Sequence, residues 1–333
     1  MEIPEQFKAM VVEEVADKKF VRRIGTRSID ELPDGEVLIR VKYSSLNYKD
    51  ALSATGNKGV TRQFPHTPGI DAAGEVAASA TDRLRAGAPV VVTGYDLGMN
   101  TPGGFAEYIR VPADWVVRLP DGLSLRESMI LGTAGFTAGL SVWKLQECGV
   151  TPDRGEVLVT GATGGVGSVA VAVLAKIGFR VVAVSGKTDR KSFLDQLGAT
   201  EVISREEATD TSGRPMLKGR WAGVVDTVGG DILASALKSL QYGGVATCCG
   251  LVASPSLSTT VFPFILRGVS LLGIDSVECP MDLRQAVWQK LAGQWKPADL
   301  EGLSSQVDLE ALDPLIDQIL AGKVTGRVVV TVG

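Results

Sequence analysis

Histidine and cysteine are scarce in this chain. Its 333 residues include one histidine, His66, and four cysteines without C-x-x-C spacing. A catalytic zinc ion needs three protein ligands from histidine, cysteine and carboxylate side chains. The sequence therefore predicts no bound metal, reduced thiols and no disulfide framework, as is usual in the cytoplasm. His66 is interpreted as a loop residue, and no Ser-His-Asp set can be assembled.

Basic runs and uninterrupted apolar segments are also missing. The net charge is -4, and no basic cluster points to nucleic acid as a partner. Residues 1–14 carry acids and lack the apolar stretch of a signal peptide. Residues 157–175 are uncharged over a length that could cross a membrane, but glycines and threonines interrupt them. We therefore expect a cytoplasmic protein without a nucleic-acid or membrane partner.

The most informative segment joins an apolar strand to a glycine-rich turn and a helix of small residues. The turn, residues 161–168, reads GATGGVGS, and a second alternating strand follows at Arg180–Val184. Glycines let a pyrophosphate approach backbone N–H groups, and the helix N-terminus adds partial positive charge. The register departs from the strict dinucleotide fingerprint, because Ala162 takes the first glycine position when Gly164 and Gly167 take the others. A turn without a ligand is the alternative, which the flanking strands and helix disfavour.

The residues after the second strand distinguish the two dinucleotides. A site that selects NAD needs an acidic residue there to accept hydrogen bonds from the adenosine ribose. This chain has Lys187 and Arg190, with Arg205 after the next short strand. These cations suit a 2'-phosphate, so we predict NADPH as the cofactor. Ordinary solvated surface cations are the alternative, since Asp189 lies among them.

The chain length and a change of pattern near residue 123 predict two domains. Short strands bounded by glycine and proline dominate the first hundred residues and predict a partly open barrel. Six strands then alternate with helices, which predicts an α/β fold with a doubly wound parallel sheet. Predicted elements include strands Phe7–Val15, Val37–Ser44, Gly74–Ala78, Pro89–Thr93, Ala106–Arg110, Glu201–Ile203 and Gly326–Val332, and helices Met281–Ala292 and Pro314–Leu320.

Four further stretches carry a family resemblance. They are Ser45–Leu52 (SLNYKDAL), Pro68–Asp71 (PGID), Gly132–Ala138 (GTAGFTA) and Pro263–Arg267 (PFILR). With the glycine-rich turn, they resemble the medium-chain dehydrogenase/reductase superfamily in its zinc-free quinone oxidoreductase branch, and closely the bacterial NADPH-dependent acrylyl-CoA reductases. Zinc alcohol dehydrogenases of this superfamily carry Gly-His-Glu where this chain has Gly-Ile-Asp, so Ile70 replaces a ligand.

The resemblance implies a GroES-like β-rich catalytic domain, residues 1–127 and 276–333, and a Rossmann NADPH-binding domain with a six-stranded sheet, residues 128–275. It implies NADPH-dependent reduction of the C=C bond of an α,β-unsaturated thioester, with acrylyl-CoA converted to propionyl-CoA. The alternatives are a quinone or enone oxidoreductase and a non-catalytic NADPH-binding protein. A homodimer joined through the sheet edge at Val269–Ile274 is also expected.

The resemblance also places Asn47 and Tyr48 beside the nicotinamide as candidate catalytic residues. Tyr48 could donate a hydrogen bond or a proton, and Asn47 could orient the substrate carbonyl or the nicotinamide ribose. Packing of Tyr48 against the cofactor is the alternative, and Lys49 and Asp50 are expected to pair. The implied cofactor contacts are Tyr48, Thr133 and Thr137 near the nicotinamide; Gly164, Gly165, Val166, Gly167, Ser168 and Val169 at the pyrophosphate; Ser185, Lys187, Arg190 and Arg205 at the 2'-phosphate; Leu251, Ile265 and Ser276 on the nicotinamide side; and Arg327 at the cleft rim.

Overall fold

The computed structural model describes residues 3–333. A first part rich in strands is followed by strands that alternate with helices, as the sequence predicts. The strands are β1 (Gln6–Ala16), β2 (Lys19–Ser28), β3 (Val37–Ser45), β4 (Asp71–Ser79), β5 (Pro89–Thr93), β6 (Tyr108–Val111), β7 (Val116–Arg118), β8 (Glu156–Val159), β9 (Arg180–Val184), β10 (Glu201–Ile203), β11 (Trp221–Asp226), β12 (Leu240–Cys248), β13 (Ser270–Gly273), β14 (Ser304–Asp308) and β15 (Arg327–Thr331). The helices are α1 (Tyr48–Ala54), α2 (Leu125–Glu147), α3 (Gly165–Lys176), α4 (Lys191–Gln196), α5 (Arg205–Ala208), α6 (Gly230–Lys238), α7 (Phe262–Arg267), α8 (Met281–Ala292) and α9 (Asp313–Leu320). No helix in this part of the chain is long and apolar enough to cross a bilayer.

Contacts divide the chain into two compact units. The first comprises Met1–Thr133, Val277–Ala286 and Ser304–Gly333, and the second comprises Ala134–Ser276 and Val287–Leu303. These contacts assign residues 128–133 to the first unit and residues 287–303 to the second. The predicted domain limits, 1–127 with 276–333 and 128–275, stay a prediction.

The first unit is dominated by β-structure. Its larger sheet has the order β14-β15-β3-β4-β5-β7, with β6 paired to β3, while β1 and β2 form an antiparallel pair. The core is filled by alternate side chains of the paired strands, because successive residues of a strand point to opposite faces. Among these buried side chains are Val37, Ile39 and Val41 of β3, Val90 and Val92 of β5, and Val328 and Val330 of β15.

The second unit contains the predicted doubly wound sheet. Its six strands are parallel in the order β10-β9-β8-β11-β12-β13, so the order reverses between β8 and β11. Open α/β sheets bind ligands at this switch point, beyond the carboxyl ends of the strands. Thr160 joins the two strand ends, because its hydroxyl donates to Asp226 Oδ1 at 2.7 Å and accepts from the N–H of Thr227 at 3.0 Å.

Candidate active site

The glycine-rich turn follows β8 at the switch point of the sheet. Gly161 has a φ of 60°, which is the left-handed conformation that favours glycine. Ala162, at the first fingerprint position, does not have a positive φ, so the backbone there accepts an alanine. A Cβ atom on Gly167 would overlap the carbonyl oxygen of Gly161. Gly167 therefore permits the close packing of α3 against the turn, as the third glycine of the fingerprint does. Gly164 is the N-cap residue of α3.

The N-terminus of α3 presents backbone donors. The N–H of Ser168 donates to the carbonyl of Gly164 at 2.9 Å, which is the first hydrogen bond of the helix. The N–H groups of Gly165, Val166 and Gly167 precede it, and such groups suit an anionic pyrophosphate. The side chains of Ser168 and Val169 are fully buried, and the Ser168 N–H is used within the helix. The predicted pyrophosphate contacts of these two residues stay a prediction.

The four residues predicted at the 2'-phosphate lie together beyond β9 and β10. The N–H of Ser185 donates to the carbonyl oxygen of Ile203 at 3.1 Å, and the Ser185 hydroxyl accepts from the N–H of Lys187 at 3.0 Å. Burial lowers the pKa of Lys187, and the positive charges of Arg190 and Arg205 lower it further. The Nε atom of Arg190 lies 3.2 Å from a carboxylate oxygen of Asp189. Three cations close enough for two of them to act on the third form a local positive field suited to a phosphate monoester.

In the first unit, a buried carboxylate joins the start of the Ser45–Leu52 motif, which contains the candidate catalytic residues, to Thr133. Asp71 is fully buried at the start of β4. Its Oδ1 accepts from the Thr133 hydroxyl at 2.6 Å and from the Thr133 N–H at 2.9 Å. Its Oδ2 accepts from the Ser45 hydroxyl at 2.6 Å and from Asn47 Nδ2 at 2.8 Å. Sequence reasoning assigned no role to Ser45 or Asp71, although both lie within the motifs of the family resemblance.

Gly132 makes the approach of Thr133 to this carboxylate possible. It has a φ of 53° and interrupts α2, so the helical segment that follows begins at Thr133. A Cβ atom at Gly132 would overlap Asp71 Oδ2 and would lie 2.6 Å from Ser45 Oγ and 2.8 Å from Arg327 Nη2. The glycine therefore serves both the backbone conformation and the close packing.

Arg327 lies inside this network, and its predicted place at a cleft rim stays a prediction. Its side chain is 2% exposed. Nε donates to the Ile130 carbonyl at 3.0 Å, Nη1 to Asn47 Oδ1 at 3.2 Å, and Nη2 to Ser45 Oγ at 2.8 Å. Burial lowers the pKa of the guanidinium, while the negative charges of Asp71 and Asp50 oppose that shift. These bonds engage all three nitrogen atoms of the guanidinium within the first unit.

Asp50 is the second buried carboxylate of the first unit. Its Oδ2 accepts from the N–H of Asn47 and its Oδ1 from the N–H of Ile70, both at 2.7 Å. Burial, with a further contribution from the charge of Asp71, raises the pKa of Asp50 to about 7. The expected pairing with Lys49 is wrong, since no such ion pair is found between these two described residues and Asp50 is fully buried.

The candidate catalytic residues differ in accessibility. Asn47 is 8% exposed, and both ends of its amide are engaged by Asp71, Asp50 and Arg327. Tyr48 follows it as the first residue of α1 and is 43% exposed. The geometry therefore suits Asn47 to positioning and Tyr48 to contact with a ligand.

The predicted nicotinamide-side residues also differ in exposure. Thr137 is buried, and its carbonyl accepts from the Ser141 hydroxyl at 3.0 Å. Leu251 and Ile265 are exposed, and Ser276 is half-buried. Their contact with a cofactor stays a prediction.

The single histidine, His66, is part of the packed interior. His66 is buried, its Nε2 lies 3.0 Å from the Gly98 carbonyl oxygen, and burial lowers its pKa. Across residues 3–333, no group of three or more histidine, cysteine, aspartate or glutamate side chains is placed to hold a metal ion.

Comparisons with known proteins extend over nearly the whole chain. The family described as "Alcohol dehydrogenase GroES-like domain" matches residues 33–121, and "Zinc-binding dehydrogenase" matches residues 165–293. "Acrylyl-CoA reductase AcuI" of Ruegeria pomeroyi is 45% identical, over 98% of this chain and 99% of the relative. "Putative quinone oxidoreductase YhfP" of Bacillus subtilis is 48% identical, over 97% of this chain and 98% of the relative.

Crystal structures of two relatives hold a dinucleotide. Escherichia coli K-12 YhdH with bound NADPH is 44% identical and has a TM-score of 0.94, covering 98% of this chain and all of that chain. Bacillus subtilis YhfP with NAD bound has a TM-score of 0.95, covering 98% of this chain and 99% of that chain. The chain belongs to the medium-chain dehydrogenase/reductase superfamily, among close relatives named for acrylyl-CoA and quinone reduction.

Proposed function

We propose that this protein reduces the C=C bond of acrylyl-CoA to give propionyl-CoA, with NADPH as the reductant. The observation that carries the cofactor assignment is the cluster of Lys187, Arg190 and Arg205 around Ser185. The NADPH in the YhdH crystal structure and the name of the Ruegeria pomeroyi relative support the assignment.

NADPH, when bound, would supply a hydride to the β carbon of the thioester. The first-turn N–H groups of α3 would bind the pyrophosphate, and the cation cluster would bind the 2'-phosphate. Tyr48 would donate a hydrogen bond to the carbonyl oxygen, where negative charge develops, or a proton to the α carbon. Asn47 would hold the start of α1 through its two engaged amide ends.

We propose that this chemistry proceeds without zinc. Ile70 stands where zinc alcohol dehydrogenases carry a histidine ligand, and an alkyl side chain cannot coordinate a metal. Polarisation of the substrate carbonyl is then left to hydrogen-bond donors of the protein.

Steady-state oxidation of NADPH tests the proposal with acrylyl-CoA, free acrylate and 1,4-benzoquinone as parallel substrates and NADH as the cofactor control. A kcat/KM for acrylyl-CoA far above that for the other two acceptors is expected, because CoA binding would position the reacting carbon. Comparable turnover of quinone would favour the enone or quinone reductase that the name of YhfP suggests. Binding of NADPH without oxidation by any acceptor would indicate a non-catalytic protein.

We also propose that the protein works in the cytoplasm as a homodimer. All four cysteines are free, as in a reducing compartment. The strand β13 is an edge of the second unit's sheet, and exposed apolar side chains of residues 251–266 lie close to it in sequence. An exposed edge and apolar patch favour pairing with a second copy. Light scattering after gel filtration would give the mass of the assembly and test this.

A further inference from the structure

Gly186 lies between the two binding-site residues Ser185 and Lys187 and is contacted by Arg205. A Cβ atom built on Gly186 would lie 2.7 Å from Arg205 Nε and 2.9 Å from Arg205 Cζ. Heavy atoms cannot approach so closely, so any side chain at this position would displace the guanidinium. Gly186 does not have the left-handed backbone conformation that requires glycine. The reason for glycine at this position is therefore the space that the Arg205 side chain occupies and not the backbone conformation.

The backbone around this contact is fixed by pairing and capping. Val184 of β9 pairs with Ile203 of β10, and Gly186 and Arg205 each lie two residues beyond that pair. Ser204 caps α5, because its hydroxyl accepts from the N–H of Glu207 at 3.1 Å while the Glu207 carboxylate accepts from the Ser204 N–H at 2.7 Å. Arg205 is the first residue of α5, so its Cα position is held by this capping box.

The same contact brings the Arg205 charge to the predicted phosphate site. The positive charge of Arg205 contributes to lowering the pKa of Lys187, together with that of Arg190. The packing of Arg205 over Gly186 thus places its guanidinium beside the two cations that follow β9. A guanidinium can form two parallel hydrogen bonds with a phosphate, which makes its position decisive for binding.

We propose that Gly186 is a specificity-determining residue for the 2'-phosphate of an adenosine nucleotide, because the missing side chain lets Arg205 reach that phosphate. This inference rests on the proposed NADPH dependence. Gly186 itself is a positioning residue, which acts through Arg205 and forms no contact of its own with the phosphate through a side chain.

The variant Gly186→Ala tests the inference without disturbing a packed core. The atoms that its methyl group would meet belong to the flexible end of an exposed arginine, and Gly186 is itself exposed. Arg205 can move into solvent, so the free energy of unfolding should be unchanged. Gly293→Ala is a matched control in the second unit, since the nearest atom to its Cβ lies 3.4 Å away in ordinary contact.

Isothermal titration with adenosine 2',5'-bisphosphate and with 5'-AMP measures binding independently of catalysis. We expect Gly186→Ala and Arg205→Ala each to raise the dissociation constant for the bisphosphate about tenfold or more, and to leave that for 5'-AMP unchanged. The double variant should bind the bisphosphate no more weakly than Arg205→Ala alone, because both changes remove the same interaction.

Wild-type affinity for the bisphosphate from Gly186→Ala would overturn the inference. Equal weakening of both nucleotides, or additive losses in the double variant, would overturn it as well. If the wild-type protein itself fails to prefer the bisphosphate, the NADPH assignment fails and the inference with it. Failure of the proposed reaction would instead appear as the absence of acrylyl-CoA turnover in a protein that still shows the bisphosphate preference.

Discussion

Arg327 Nη2 lies 3.7 Å from Asp71 Oδ2 in the interior of the first unit, with 2% and 0% of the two side chains exposed. Asp50 is a second buried carboxylate in the same region, and its charge acts on the guanidinium. One cation therefore lies among two buried carboxyl groups. Such an arrangement costs desolvation free energy, and it persists because hydrogen bonds satisfy each polar atom around it.

Removal of the guanidinium should destabilise the first unit severely. We expect Arg327→Met to lower the free energy of unfolding by about 3–5 kcal/mol, because Asp71 would stay buried without its partner. Urea unfolding followed by tryptophan fluorescence measures this change. The double variant Arg327→Met with Asp71→Asn should lose less than the sum of the single changes, since it removes charge from both sides. A loss below about 1 kcal/mol in Arg327→Met would contradict an essential buried pair.

Asp50 should make stability fall as the pH rises. Its pKa is raised from 3.8 to about 7 by burial and by the charge of Asp71, so the folded protein keeps a proton that the unfolded chain releases near pH 4. The stabilising contribution is full below about pH 4 and is lost progressively as the pH rises through about 7. Above that range Asp50 contributes no further change.

Urea unfolding at pH 5, 6, 7 and 8 tests this with Asp50→Asn as the comparison. The wild type should lose more stability than the variant between pH 5 and pH 7, and the difference between the two profiles should level off by about pH 8. Because groups outside this buried network titrate equally in both proteins, the difference between the profiles reports Asp50 together with the groups coupled to it. Parallel profiles throughout would show that Asp50 is ionised in the folded protein at pH 5.

The sequence predicts one strand of the first unit and two strands of the second with their observed bounds. The predicted bounds of Pro89–Thr93, Arg180–Val184 and Glu201–Ile203 are those of β5, β9 and β10. Each combines apolar residues with flanking glycine, proline or polar residues, so local pattern alone determines it. The helix α8 is also predicted with its observed bounds. Strand β2 is not predicted, because charged residues occupy both its exposed and its half-buried positions and its order comes from pairing with β1.

The buried network could not be derived from local pattern. An arginine at the start of a strand is usually solvated, yet Arg327 donates to the carbonyl of Leu46, 281 positions earlier in the chain. Its interior place depends on a pairing between β15 and β3 that no periodicity reveals. Likewise, the close contact of Gly186 with Arg205 depends on side-chain packing beyond the paired ends of two strands. Residue types indicated these sites, whereas only tertiary structure supplies the partners.

Gly167 should tolerate no side chain. A Cβ there would overlap the carbonyl oxygen of Gly161, which is rigid backbone, so we expect Gly167→Val to cost at least about 1–3 kcal/mol of stability and to abolish NADPH binding. Gly164→Ala is the matched control for folding, because its Cβ would lie 3.2 Å from the same oxygen and needs only a small adjustment. Thermal unfolding and nucleotide titration measure the two effects. Wild-type NADPH affinity in Gly167→Val would contradict the assignment of this turn.

The hydroxyl of Tyr48 should contribute to the chemical step. Tyr48→Phe keeps the ring and removes the donor, so a role in packing survives the change while a role in proton donation or carbonyl polarisation is lost. General acid catalysis typically contributes a factor of about 100 or more, and we expect a fall of that size in kcat with acrylyl-CoA, while the NADPH dissociation constant stays near the wild-type value.

Tyr242→Phe provides the matched control for that experiment, because Tyr242 is 80% exposed on the second unit and has no part in the proposed reaction. The free energy of unfolding should be unchanged in both variants, since the Tyr48 side chain is also well exposed. If Tyr48→Phe retains most of the wild-type kcat, the ring serves only as a packing surface. The proton would then come from solvent or from another group, and the carbonyl oxygen would need a different hydrogen-bond donor.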